Sequence, residues 1–120
     1  MITLDLHISH SKGVEVPPKA AIEESIIKVL KEKSLDGNFA VDIQFVSAQA
    51  IHQLNQSYRD IDKPTDVLSF PIYEKVTSGS ENTTLLGDII VCPEMADEPI
   101  LKLIEHSTLH LLGFHHAGDE

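Results

Sequence analysis

Apolar and polar positions alternate along the chain with two periods. Ile2, Leu4, Leu6 and Ile8 alternate with Thr3, Asp5 and His7. Successive strand residues face opposite ways, so this spacing predicts a half-buried strand. Pro17-Pro18 then opens a predicted helix over about 18–33, on which Ile22, Ile26, Val29 and Leu30 keep the 3.6-residue period. Asp36-Gly37 marks a turn, and Phe39, Val41, Ile43 and Phe45 alternate as a second strand. Ser47 is placed to cap a helix over about 48–58, with Ile51, Leu54 and Tyr58 on one stripe.

Pro64 cannot continue that helix, so 60–65 is expected to be an ordered loop. Val67-Leu68-Ser69-Phe70 reads as a short third strand ended by Pro71, and 74–84 as a polar connection. Leu85 to Val91 reads as a fourth strand. Asp97, Glu98 and Pro99 suit the first turn of a last helix that runs to about Leu112, with Ile100, Leu103 and Ile104 toward the core. The resulting order, β-α-β-α-β-β-α, predicts an α/β or α+β sandwich around a four-stranded mixed sheet, with the last two strands as a hairpin. One domain over 1–120 is expected.

Composition narrows the setting. No apolar stretch is long enough to span a membrane, and Met1-Ile2-Thr3-Leu4-Asp5 does not read as a signal peptide. Cys92 is the single cysteine, which leaves no internal disulfide and makes a cytoplasmic protein the default; at the end of an apolar run it is expected to be buried. The formal net charge is -10, which argues against a general nucleic-acid binder. Two points soften that. A bound dication adds local positive charge, and the sole arginine, Arg59, sits in an informative place.

The strongest chemical signal is the run Glu105-His106-Ser107-Thr108-Leu109-His110-Leu111-Leu112-Gly113-Phe114-His115-His116. Residues four apart on a helix lie one turn apart on one face, so His106 and His110 can bind one ion. Gly113 can take a positive φ, end the helix and bring His116 back as a third ligand. Three neutral imidazoles with an open fourth position suit a catalytic zinc, about one Zn2+ per chain. Glu105, about 100° around the helix from His106, points away from that face.

A second run, Leu54-Asn55-Gln56-Ser57-Tyr58-Arg59-Asp60-Ile61-Asp62-Lys63-Pro64-Thr65-Asp66-Val67-Leu68-Ser69-Phe70-Pro71, followed by Leu86-Gly87-Asp88-Ile89 and then the H-x3-H-x5-H of His106, His110 and His116, resembles the YbeY family. These are single-strand-specific endoribonucleases of ribosomal RNA maturation. The resemblance runs from about residue 39 to 118 in the family's order. It implies a zinc-dependent RNA hydrolase in the cytoplasm, acting in 16S rRNA processing and ribosome quality control. The implied partners are single-stranded RNA and the ribosomal small subunit or its associated factors. It also implies that His106, His110 and His116 hold the metal and that Arg59 meets RNA phosphate. Arg59 and His110 are thus the candidate catalytic residues, and Arg59, Thr65 and Ser69 the candidate substrate contacts. Ser107 and His115 stand where family members usually carry glycine and aspartate, and the stretch from Cys92 to His106 is short.

Several alternatives stay open. Arg59 could pair with Asp60 or Asp62, and Thr65 and Ser69 could bond locally. Asp88, inside an apolar strand, could orient a metal-bound histidine or pair with Lys63 or a backbone amide. Asp66 could cap its loop. His7, His10 and His52 lack ligand spacing and read as surface histidines. As to function, one rival is a non-catalytic ribosome-assembly factor with structural zinc, which would need a fourth ligand such as Cys92 or His115. The other is a metallopeptidase, since the histidine spacing matches H-E-x-x-H-x-x-G-x-x-H. Ser107 occupies the glutamate position of that motif and cannot act as the carboxylate base, and the chain to Glu120 leaves no room for a methionine turn.

Overall fold

The computed structural model describes residues 1–78 and 82–114. Four strands and three α-helices follow in the predicted order: β1 (Ile2–His10), α1 (Lys19–Glu32), β2 (Gly37–Phe45), α2 (Ala48–Arg59), β3 (Val67–Pro71), β4 (Thr84–Val91) and α3 (Ile100–Leu112). The fold is α+β with one mixed sheet in the order β1-β2-β4-β3. β1 pairs with β2 and β2 with β4 in parallel, while β3 and β4 form the expected antiparallel pair.

The two periodicities decide which face each strand offers. Phe39, Val41, Ile43 and Phe45 are all buried, and with Leu6, Ile89 and Val91 they meet Ile22, Ile26, Val29 and Leu30 of α1 and Ile104, Leu111 and Leu112 of α3 in one core. α1 and α3 therefore cover one face of the sheet. On the other face Leu68 and Ile90, opposite one another in register, pack with Ile51 and Leu54 of α2. α2 covers only the β3–β4 half of that face. Thr3, Asp5, His7 and Ser9 of β1 are exposed there.

Local chemistry sets the helix ends. The Ser47 hydroxyl accepts from the Ala50 amide at 3.2 Å, satisfying one of the amides a helix start leaves without a carbonyl. Three details depart from the sequence reading. Pro71 is the last residue of β3 rather than the residue after it; β3 is an edge strand, so the missing amide costs no ladder bond. A one-turn 3-10 helix, Pro93–Met95, follows β4. Asp97 and Glu98 precede the last helix, because Pro99 keeps an extended ψ of 138° and α3 starts at Ile100.

A candidate metal centre on the last helix

His106 and His110 lie one turn apart on α3, both half-buried. The helix keeps Leu103, Ile104, Ser107, Thr108, Leu111 and Leu112 in the core and carries the histidines on the flank beside that stripe. Gly113 ends the helix in the left-handed region, with φ of 98°, as its place in the motif requires. The Gly113 amide donates to the His110 carbonyl at 3.0 Å and the Phe114 amide to the Leu109 carbonyl at 2.9 Å, which closes the last turn. The strand connection locks this corner from outside. The Val76 amide donates to the Leu112 carbonyl at 3.2 Å. A β-carbon on Gly113 would lie 2.2 Å from the Glu74 carbonyl oxygen, so both conformation and space call for glycine.

His116 and His115 lie outside the described residues. Among the described residues, no group of three His, Cys, Asp or Glu is arranged to hold a metal. The donor chemistry fits zinc: two imidazoles four residues apart on one helix flank, followed by the turn that redirects the chain. A carboxylate not foreseen from the sequence joins them. Glu98 Oε1 stands 3.3 Å from His106 Nδ1. Glu105, by contrast, reaches away to Lys28 of α1 at 3.4 Å.

The other candidates divide around the edge strand. Ser69 shares a strand face with Val67, which packs into the core beneath α1 and α3, so Ser69 is half-buried on the histidine-helix side. Thr65 bonds locally, its Oγ1 lying 3.4 Å from Asp66 Oδ1. Arg59 closes α2, on the opposite side of the sheet, and is exposed; it makes no ion pair among the described residues. Neither expected aspartate pairs with it. Asp62 instead meets His52 at 2.8 Å.

Two contacts pin the loop after Arg59. Asp60 takes a left-handed conformation at the end of α2. Asn55, 1% exposed on the buried side of α2, donates Nδ2 to the Lys63 carbonyl at 2.9 Å, while its own carbonyl accepts from the Ile61 amide at 3.3 Å. Its Oδ1 is buried with no hydrogen-bond partner among the described residues. An asparagine within an otherwise apolar stripe was the signal available in the sequence, since a buried amide must have a reason to be there. Ser107 is also 1% exposed, with its hydroxyl buried and without a hydrogen-bond partner among the described residues.

Asp88 belongs elsewhere. It lies directly across from Asp42 on the sheet face away from α1 and α3, so it does not orient a histidine of α3, and no ion pair joins it to Lys63 among the described residues. Although Asp88 is exposed, partial desolvation on the sheet raises its carboxyl from the ordinary value, and the charge of Asp42 raises it further. His7 Nδ1 approaches Asp42 from β1 at 3.4 Å.

A profile of the Endoribonuclease YbeY family matches residues 7–120. The chain belongs to the YbeY family. The Endoribonuclease YbeY of Clostridioides difficile is 40% identical over 114 residues, which cover 82% of this chain and 72% of that protein. That of Finegoldia magna is 41% identical over 109 residues, covering 82% and 69%. That of Colwellia psychrerythraea is 35% identical, covering 97% and 81%. A solution structure of a Thermotoga maritima protein is 30% identical, with a TM-score of 0.43; the match covers 93% of this chain and 65% of that one. No helix among the described residues is long and apolar enough to cross a membrane.

Proposed function

We propose that this chain is a zinc-dependent endoribonuclease that cuts single-stranded RNA, with the metal held by His106, His110 and His116, and that it works in the cytoplasm on ribosomal RNA at the small subunit. The observation that carries this reading is the pair of half-buried imidazoles one turn apart on α3, closed by the left-handed Gly113. The name its relatives bear, Endoribonuclease, supports the substrate class. When bound, zinc would polarise a phosphoryl oxygen and lower the pKa of water.

The protein's own groups then bind and orient. Arg59 is exposed and without an ion pair among the described residues, so no carboxylate there competes with a phosphate for its planar fork. Asn55 and His52 hold the following loop, and so fix the direction in which the chain leaves Arg59. Ser69 offers a hydroxyl from the strand face toward α3. The peptidase reading lacks its base, since Ser107 is buried in the core at the position where that motif has glutamate.

Elemental analysis and cleavage assays test the proposal together. Wild type should carry about one zinc per chain and His110→Ala far less. Unstructured RNA should be cut in a chelator-sensitive way, with casein intact. Equal metal in the two proteins would remove the ligand assignment. Zinc uptake without RNA cleavage would instead favour a non-catalytic assembly factor.

A further inference from the structure

Imidazole can offer a metal only a nitrogen that carries no proton, and which nitrogen that is depends on what the other one meets. At His106 a carboxylate stands within ion-pair distance of one ring nitrogen. Glu98 Oε1 lies 3.3 Å from Nδ1, and both side chains are partly shielded. Glu98 reaches this place through the shape of the segment before it. β4 ends at Val91, the 3-10 turn Pro93–Met95 follows it, and Pro99 holds an extended conformation just before α3. The carboxylate thus leaves the chain outside the helix start and lies along the helix flank, toward the first histidine. The short stretch from Cys92 to His106 is what brings this glutamate so close in sequence to the ligand helix.

We propose that Glu98 is a positioning residue for the metal centre: its carboxylate holds the proton of His106 on Nδ1, fixes the ring plane and presents Nε2 to the metal. The inference rests on the zinc reading above for its purpose, though not for its geometry. A carboxylate acceptor at Nδ1 favours the Nδ1–H tautomer electrostatically, and it raises the donor strength of the nitrogen left for the metal. A carboxylate near a helix start can also serve the helix dipole alone. That simpler role would change helix stability but would not select a tautomer.

The full chain can be tested with zinc itself as the probe. In the metal-free protein, long-range nitrogen–proton spectra should show His106 protonated at Nδ1. Glu98→Ala should move the proton toward Nε2, the form that dominates in free histidine. Competition with a chromophoric chelator should show zinc binding weakened by about 10- to 100-fold in Glu98→Ala. Glu98→Gln keeps an oxygen acceptor without the charge. It should retain the wild-type tautomer and lose less affinity, which also guards against a misfolded alanine variant. Wild-type tautomer and affinity in a folded Glu98→Ala protein would overturn the role. If wild type takes up no zinc, the functional reading falls by itself, and the tautomer still decides whether Glu98 sets the ring.

Discussion

Arg59 shows how much a single side chain depends on what does not engage it. An arginine at the end of a helix usually finds a carboxylate, and two stand within three residues. Asp62 is taken by His52 at 2.8 Å, and Arg59 is left exposed. Retaining a permanent charge that no carboxylate among the described residues pairs makes sense if it meets the negative charge of RNA. Arg59→Ala should therefore keep its fold, its melting temperature and its zinc, yet cleave RNA on the order of 100-fold more slowly. Arg59→Lys should recover part of the loss, because an ammonium supplies the charge without the fork. Near-normal cleavage by a folded, zinc-loaded Arg59→Ala protein would refute this role. Tyr58, its neighbour, departs from the apolar stripe it seemed to complete. It is 67% exposed and meets Phe70 edge to face at 5.2 Å, marking where α2 stops being a core helix.

At the scale of elements, Gly113 joins the histidine helix to the connection between β3 and β4. Two terms oppose a side chain there, the positive φ and the 2.2 Å approach of Glu74 oxygen to a β-carbon. Gly113→Ala should lose at least about 1–3 kcal/mol in urea unfolding from backbone strain, and should bind zinc more weakly because the chain beyond is misdirected. Gly13 is the control. It has a positive φ of 81° but open space around it, so Gly13→Ala should cost less and leave zinc binding unchanged. Equal losses for the two variants would show that the contact with Glu74 is immaterial.

The elements themselves were readable because each strand and helix buries one face. Alternation at Phe39 to Phe45, and the 3.6 spacing from Ile22 to Leu30, are direct records of that burial. The histidine pair and Gly113 were readable for a related reason, since their meaning lies in local helix geometry. Partnerships across space left no such record. Nothing in the spacing places Glu98 at His106, because the turn at Pro93–Met95 and the extended Pro99 decide it. For Asp88 the sequence left a place beside a metal-bound histidine and a pairing with Lys63 or a backbone amide equally open, and only strand order set it opposite Asp42 on the other face.

For the molecule as a whole, that pair of aspartates adds to a formal charge of -10. Unfolded, Asp88 would titrate near pH 4, as carboxyls of this type do. Folded, its affinity for the proton is higher, because partial desolvation and the charge of Asp42 oppose ionisation. Between the two values the folded chain binds more protons, so stability falls as pH rises. The contribution is fully present below the unfolded value and is lost as pH passes the raised one. Asp88→Asn should therefore melt at a higher temperature than wild type at pH 7, with the gap closing toward about pH 4. A constant gap across that range would assign the change to something other than ionisation.

The sheet order carries a consequence for how such a chain comes into being. β4 is made last of the strands, yet it lies between β2 and β3. While a ribosome is still extending the chain, β1, α1 and β2 can assemble, but β3 has no strand to join until residues up to Val91 have emerged. α3 packs against Ile89 and Val91 in the same core. The histidine helix thus gains its platform only after β4 has been made, so a chain that has not yet reached Val91 can expose β3 to unwanted pairing and lacks the surface on which that helix sits.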